Sequence, residues 1–348
     1  MPDEVVEFVA AEATPERWAQ WHRLRKRWHD ASWHDEPYLP DPLEEAELTR
    51  PDPFGIHLRF LRVQGDDILT ALTLQAASPE SPEYESSRHI VYVNSFVLPE
   101  ERRRRLAAGW LPVLVELMDG LGATVATMST HEESGRAFLR WLGADLKYGE
   151  RQSRLDLRTL DWALVDRWAK EGQERSPEAR LELYLHRLPE EKLEEITSAS
   201  TRLLNTMPFE EMDHGDIVFS PEMYREWSAR MDVSGSEHHT VLVREPDGSV
   251  SALTDVMKHP HEEGYVRQMF TGVDPAARGR GLGKWIKAAM LQRVREAHPE
   301  TVYVTTENAG SNAAMLAINV GLGFAPLRES TTYQIGRDEL VRRAAGST

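Results

Sequence analysis

The stretch Tyr265–Phe324 reads YVRQMFTGVDPAARGRGLGKWIKAAML over 265–291, VYVTTEN over 302–308 and SNAAMLAINVGLGF over 311–324. Tyr265–Val273 has strand character, and Leu282–His298 has the composition of a helix. Between them lies Arg278-Gly279-Arg280-Gly281-Leu282-Gly283. A strand that turns directly into a helix brings loop N–H groups and the helix N-terminus to one point, which suits a phosphate. Glycines at 279, 281 and 283 remove the Cβ atoms that would hold an oxyanion away, and Arg278, Arg280 and Lys284 add positive charge. A second strand over Thr301–Thr306 and a helix over Ser311–Val320, stopped at Gly321-Leu322-Gly323-Phe324, follow.

Two common phosphate loops do not fit. A P-loop needs Ser or Thr after Gly-Lys to reach magnesium, but Trp285 follows Gly283-Lys284. A dinucleotide fingerprint spaces its glycines G-x-G-x-x-G, whereas the spacing here is G-x-G-x-G with no acid closing the next strand.

Outward from this segment, the chain reads as one pattern used twice. Leu98-Pro99 placed on Asp274-Pro275 brings Arg102 onto Arg278 and Leu106 onto Leu282, and Leu142-Gly143 falls near Leu322-Gly323. Strands are predicted at Val5–Val9, Gly55–Gln64, Ile68–Ala77, His89–Leu98, Thr124–Ser129 and Asp145–Leu157, with helices at Thr14–Trp28, Leu106–Leu121 and Glu132–Leu142. The second half repeats the order, with a hairpin around Pro246-Asp247-Gly248. A length of 348 residues supports two domains. The expected boundaries are 1–158 and 178–348, joined by a charged linker over 159–177. In the first half the loop has become Arg102-Arg103-Arg104-Arg105-Leu106-Ala107, so phosphate cradling there is expected to be impaired.

Composition narrows the function. The net charge is −16, from 41 basic and 57 acidic residues, which argues against a nucleic-acid binder, although residues 251–300 carry a basic excess suited to an anionic ligand. With no cysteine there is no disulfide, thiolate nucleophile or cysteine-ligated metal, and no metal site is expected. No apolar run reaches the roughly 18 residues of a membrane span, so no membrane association is expected. The acidic start does not read as a signal peptide, and a cytoplasmic location is the expectation.

The strand, the Arg278–Gly283 loop, the helix, the second strand, the Asn-led helix and the Gly323-Phe324 stop resemble the GCN5-related N-acetyltransferase (GNAT) family, whose acetyl-CoA loop is Q/R-x-x-G-x-G/A. The match covers residues 240–335 well and the whole chain more faintly. The tandem arrangement is similar to mycothiol synthase and two-domain antibiotic acetyltransferases. The resemblance implies an α/β (α+β) fold: two tandem domains, each a mixed, mainly antiparallel, splayed sheet flanked by helices, with the N-terminal domain degenerate and the C-terminal one catalytic. It implies acetyl-CoA as acyl donor, CoA as product, and pantetheine inserted between Met269–Val273 and Val302–Thr306. Met269, Thr271, Val273, Arg278, Gly279, Arg280, Gly281, Leu282, Gly283, Lys284 and Asn312 would then hold the cofactor, with the Thr271 N–H on the acetyl carbonyl.

Two departures from the family matter. Asn319 stands where a tyrosine often protonates the leaving thiolate, and Arg267 where a glutamate base is common. Substitutes are Tyr303 or Tyr333 as acid, and Asp255, Glu307, His259 or His261 as base. The acidic loop Asn205–Pro221, with Glu210, Glu211, Asp213 and Asp216, is expected to overlie the acceptor and suits a small cationic amine, as in antibiotic modification. A monomer or homodimer is expected. The alternatives are a non-catalytic acyl-CoA-binding module and a protein N-terminal or lysine acetyltransferase.

Overall fold

The computed structural model describes residues 4–346. The chain begins with β1 (Glu4–Glu7), α1 (Pro15–Ser32), α2 (Asp41–Thr49), β2 (Gly55–Gln64), β3 (Asp67–Ala77), the one-turn α3 (Tyr84–Ser87) and β4 (Ile90–Val97). Next come α4 (Leu111–Leu121), β5 (Val125–Thr130), α5 (Glu133–Leu142) and β6 (Asp145–Asp156). The second half runs through α6 (Trp162–Arg175), β7 (Arg180–Tyr184), α7 (Leu193–Leu204), α8 (Pro221–Ser234), β8 (Glu237–Arg244), β9 (Val250–Lys258) and β10 (Tyr265–Val273). It ends with α9 (Leu282–Ala297), β11 (Tyr303–Ala309), α10 (Ala313–Leu322), β12 (Ala325–Gly336) and α11 (Arg337–Ala345).

Local signals act as their chemistry requires. The Thr14 hydroxyl accepts the Arg17 N–H at 3.3 Å and Pro15 opens α1, so the helix start is both capped and pre-set in φ. Gly143 and Gly323 close α5 and α10 at φ +82° and +94°, a conformation that only glycine adopts without cost.

The two compact units do not coincide with the two halves. One comprises the residues through Tyr148, Glu211–Asp216 and those from Ser330 onward; the other comprises Gly149–Glu210 and Ile217–Glu329. The first unit's sheet runs β1-β2-β3-β4-β5-β12, with β4 parallel to β5 and β12 antiparallel to β5 through Tyr333↔Met128. Its core lies on both faces, Trp110, Leu114, Met118, Leu142 and Tyr333 on one and Phe8, Trp21, Leu24 and Leu61 on the other. The second unit's sheet runs β6-β11-β10-β9-β8-β7. Val241, Val256, Val266, Trp285, Ile286, Val304 and Phe324 fill one side of it, and Ile196, Leu203, Tyr224, Leu242 and Leu253 the other.

Three differences from the sequence reading follow. β6 leaves the 1–158 segment at Gly149 and pairs with β11, from Asp156↔Tyr303 to Glu150↔Ala309, so each half lends its last strand to the other unit's sheet. The 159–177 segment, expected as a partly helical linker, is helical as α6 but belongs to the second core, where Val165, Trp168 and Gly172 pack against α9. The helix expected from Leu106 begins only at Leu111, after a 3₁₀ turn over Ala108–Trp110. Pro112 sets that start, because in the interior of a longer helix it would clash with a carbonyl one turn back.

Candidate active site

β10 and β11 pair in parallel from Tyr265↔Tyr303 to Gln268↔Thr306 and no further, so beyond that point the sheet of the second unit opens. Its walls are Met269–Val273 and Glu307–Ala309; Val302–Thr306, expected as a wall, lies in or before the closed part. On the other side of β10, one extra residue is accommodated against β9 between Gln268 and Thr271, a bulge that twists the strand away. The bulge is held by side chains. Asp255 Oδ1 accepts the Phe270 N–H at 2.8 Å, and Gln268 Nε2 donates to the Asp255 carbonyl at 2.6 Å and to Thr254 Oγ1 at 2.9 Å. Met269 is exposed at this point, and the Thr271 hydroxyl is engaged with that of Thr254 at 2.8 Å.

The end of β10 leads into the glycine loop. Gly279 and Gly281 have φ of +83° and +82°, and a Cβ on Gly279 would point into open space. Gly281 is the N-cap of α9 and has no side chain to satisfy the helix. The first acceptor bond of the helix is Trp285 N–H to the Gly281 carbonyl at 3.1 Å, so the N–H groups of Leu282, Gly283 and Lys284 have no partner within the helix. A Cβ on Gly283 would stand 3.1 Å from Ile318 Cδ1, so its absence lets α9 and α10 approach. This concavity of free N–H groups at a helix start fits a pyrophosphate.

The cations around it are unequal. Arg280 is bound to Glu245 at 2.8 Å and to Ser176 Oγ at 2.9 Å, and so braces the loop. Lys284 lies over the Trp168 ring at 4.9 Å, and Arg278 Nε donates to the Val273 carbonyl at 3.4 Å. Arg175 Nη1 comes within 3.4 Å of where a Gly281 Cβ would be. It was missed in the sequence because α6 lies over a hundred residues before the loop. Asn312 caps α10, its Oδ1 accepting the Met315 N–H at 3.2 Å.

The first unit preserves the loop's shape without its function. Arg103 and Arg105, the counterparts of Gly279 and Gly281, also have positive φ, +64° and +61°. Side chains stand there instead of open backbone, and α4 starts too late to aim its N–H groups at the loop.

Among the proton carriers, Tyr303 sits at the closed end of β11, roughly 10 Å along the strand from the opening. Its hydroxyl accepts from Arg158 at 3.1 Å. Tyr333 is buried in the core of the first unit. Asp255 is spent on Phe270 N–H and on His238 Nε2, 2.8 Å away. Arg267 forms a forked pair with the buried Glu262 at 2.6–2.9 Å, and burial holds His259 and His261 below the ordinary histidine pKa despite that carboxylate. Asn319 is buried, with its Oδ1 on Lys287 and its Nδ2 on Asn308 in the β11 wall.

Glu307, on the same wall, is exposed. Diagonal to it across the β11–β6 ladder is Glu150, whose pKa is pushed up to about 7 by burial and by the charge of Glu307. Sequence reasoning missed Glu150 because β6 was assigned to the other half. The acidic loop divides: Glu210 stays with the second unit, and Glu211–Asp216 belong to the first. There Asp213 is bound by His89 at 2.9 Å and by the Gln334 side chain, and the Asp216 N–H donates to Ser86. Asp213 is thereby engaged structurally rather than held free for a cationic acceptor.

A sheet opened after a bulge, with a glycine loop at the start of the next helix, is the architecture of the GNAT acetyltransferase fold, present here as a tandem pair. Over 96% of this chain and 98% of the other, the structure is similar to a tandem GNAT protein from the clavulanic acid biosynthesis pathway, with a TM-score of 0.74 and 20% identity. It is also similar to a GCN5-related N-acetyltransferase from Sphaerobacter thermophilus, at TM-score 0.67 and 13% identity over 97% of both chains. A GCN5-related glucosamine N-acetyltransferase region in a fungal multi-domain β-N-acetylglucosaminidase matches 96% of this chain and 38% of that one, at TM-score 0.66 and 11% identity. No family model and no curated protein matches the sequence. Among the described residues, no helix is long and apolar enough to cross a membrane.

Proposed function

We propose that the chain is an acetyl-CoA-dependent N-acetyltransferase, active in its second unit, that acts on the primary amine of a small molecule. The observation that carries this is the pairing of the β10–β11 opening with a cradle whose two positive-φ positions are glycine here and arginine in the first unit. Bound acetyl-CoA would supply the activated acyl group, whose carbonyl carbon gains the amine nitrogen and loses the CoA sulfur.

The N–H groups of Leu282, Gly283 and Lys284 hold the pyrophosphate, with Arg278 and Arg175 as the nearby cations and Arg280 bracing the loop. The backbone N–H of Thr271, just past the bulge whose Phe270 N–H is already taken by Asp255, faces charge developing on the carbonyl oxygen. A donor of this kind contributes about 2.7–4 kcal/mol in other acyl-transfer sites. Glu150, with Glu307 beside it, takes the proton that the amine loses, directly or through a water. The expected acceptor is a cationic amine, because this wall is lined with carboxylates, and modification of an antibiotic-like amine fits that chemistry.

The deciding experiment follows CoA release with a panel of small amines and with peptides bearing free N-termini and lysines. Turnover of small amines supports the reading. Labelling of peptides alone favours a protein acetyltransferase. Tight acetyl-CoA binding with no turnover on either set favours a binding module.

A further inference from the structure

Away from the opening, the start of strand β8 and the end of α9 bring together three groups for which the acyl-transfer chemistry has no use. We infer that Glu237, His239 and His298 form a binding site for a zinc-type divalent cation, two imidazole nitrogens and one carboxylate oxygen taking three corners of a tetrahedron. The atoms concerned are Glu237 Oε2, His239 Nε2 and His298 Nε2. Both Glu237–histidine separations are 3.4 Å and the histidine pair is 3.0 Å apart. A tetrahedron with metal–ligand bonds of about 2.0–2.1 Å has edges of roughly 3.3–3.4 Å, so two of the three edges already have the length that zinc requires. The third needs to open by only a few tenths of an ångström.

The surroundings agree. His239 is fully buried, and a ligating imidazole is the neutral ring. His298 turns its other nitrogen, Nδ1, toward the Glu300 carboxylate at 3.7 Å, the side on which ligating histidines usually meet a carboxylate. His239 Nδ1 instead accepts a long 3.3 Å bond from the His186 N–H. Binding through Nε2 moves the ring proton to Nδ1 and displaces that bond. His186, at φ +62°, also places its Nδ1 3.0 Å from Glu237 Oε2, so the same carboxylate oxygen gathers three imidazoles before any metal arrives. Glu237 and His298 line a cleft of about 710 Å³ together with Lys258, Glu263 and Glu300, which gives water access to the cluster. Two imidazoles disfavour magnesium and calcium, which take oxygen ligands. A metal here would clip β8 to the C-terminal end of α9.

The test uses the full chain, freed of metal by a chelator, and titrates it with Co²⁺ and then Zn²⁺. The expected result is one equivalent of Co²⁺ per chain with the intense visible absorption of four-coordinate cobalt, displaced by Zn²⁺. His298→Gln and Glu237→Gln are each expected to weaken uptake at least tenfold while the metal-free circular dichroism stays unchanged. Absence of stoichiometric uptake by folded wild-type protein would reduce the cluster to a hydrogen-bonded histidine pair and overturn the inference. Undiminished uptake in both variants would place the ion elsewhere and overturn it equally. Should either variant fail to fold, X-ray absorption of the zinc-loaded wild type decides: two imidazoles in the shell support the site, and a shell without them refutes it.

Discussion

Lys287 Nζ donates to Asn319 Oδ1 across 2.8 Å, and both side chains are closed to water. Burial pushes the Lys287 pKa down from 10.5 to about 7. Between those values the unfolded chain holds a proton that the folded chain has released, so this group makes stability rise with pH across the window. Lys287→Met removes the buried amine and is expected to flatten the rise, as read from urea unfolding at about pH 7 and about pH 9. Equal slopes for wild type and variant would show that the buried amine stays charged. Asn319→Ala strips the amine of its acceptor, so its expected effect is on stability before kcat.

Glu150 gives the second expectation. Its raised pKa, about 7, makes kcat/KM climb through neutral pH as the carboxyl ionises. Glu150→Gln should abolish that limb and lower kcat/KM by roughly 10²–10⁴-fold. Glu307→Gln removes the neighbouring charge and should move the limb toward lower pH. The same shift has the opposite sign in stability: relative to Glu150→Gln, the wild type is favoured below about pH 4.5 and loses that advantage as pH rises through about 7. A rate profile unchanged in Glu150→Gln would remove Glu150 from the reaction.

How far the sequence could be read follows from which interactions are local. The loop from Arg278 to Gly283 was legible because glycine at a strand-to-helix junction is a statement about backbone angles, and the φ values at Gly279 and Gly281 agree. The repeat was legible for the same reason, since Gly143 and Gly323 stop equivalent helices. The partner of β6 was not. Alternation of side chains reports that Asp145–Asp156 is a strand with two faces but carries no information on which edge it joins. Glu150 was lost with it, and so was the Lys287–Asn319 contact, because α9 is apolar enough to hide one lysine in a helical pattern. Pro112 was a local signal that went unused.

The packing of α6 into the second core gives a prediction independent of chemistry. A Cβ on Gly172 would lie 2.2 Å from Trp285 Cγ, and Trp285 is itself fully buried, so neither partner has room to move aside. Gly172→Ala should destabilise the protein by about 1–3 kcal/mol, the usual cost of overfilling a packed core. An unfolding midpoint equal to that of the wild type would mean that α6 is loosely attached, as a linker would be.

The two loops, one of glycines and one of arginines on the same backbone, make the sharpest prediction. At Gly281, φ +82° penalises any L residue, and a β-branched side chain also meets Arg175 at the mouth of the cradle. Gly281→Val should therefore lower acetyl-CoA affinity at least tenfold by calorimetry, with a stability loss of only about 1–2 kcal/mol from the left-handed backbone. At Arg103 and Arg105 the argument reverses. Both residues carry the strain with no glycine to relieve it, so Arg103→Gly and Arg105→Gly should be neutral or mildly stabilising, relief of strain being offset in part by the greater freedom of glycine in the unfolded chain. Neither change should create a second binding event, because α4 begins at Leu111 and its free N–H groups are absent from the loop. One acetyl-CoA per chain is the expected stoichiometry in the wild type and in the double arginine variant, with the same single site weakened at least tenfold in Gly281→Val. Two in the wild type would show that four arginines hold the cofactor by charge alone, and the assignment of the first unit as lapsed would fall.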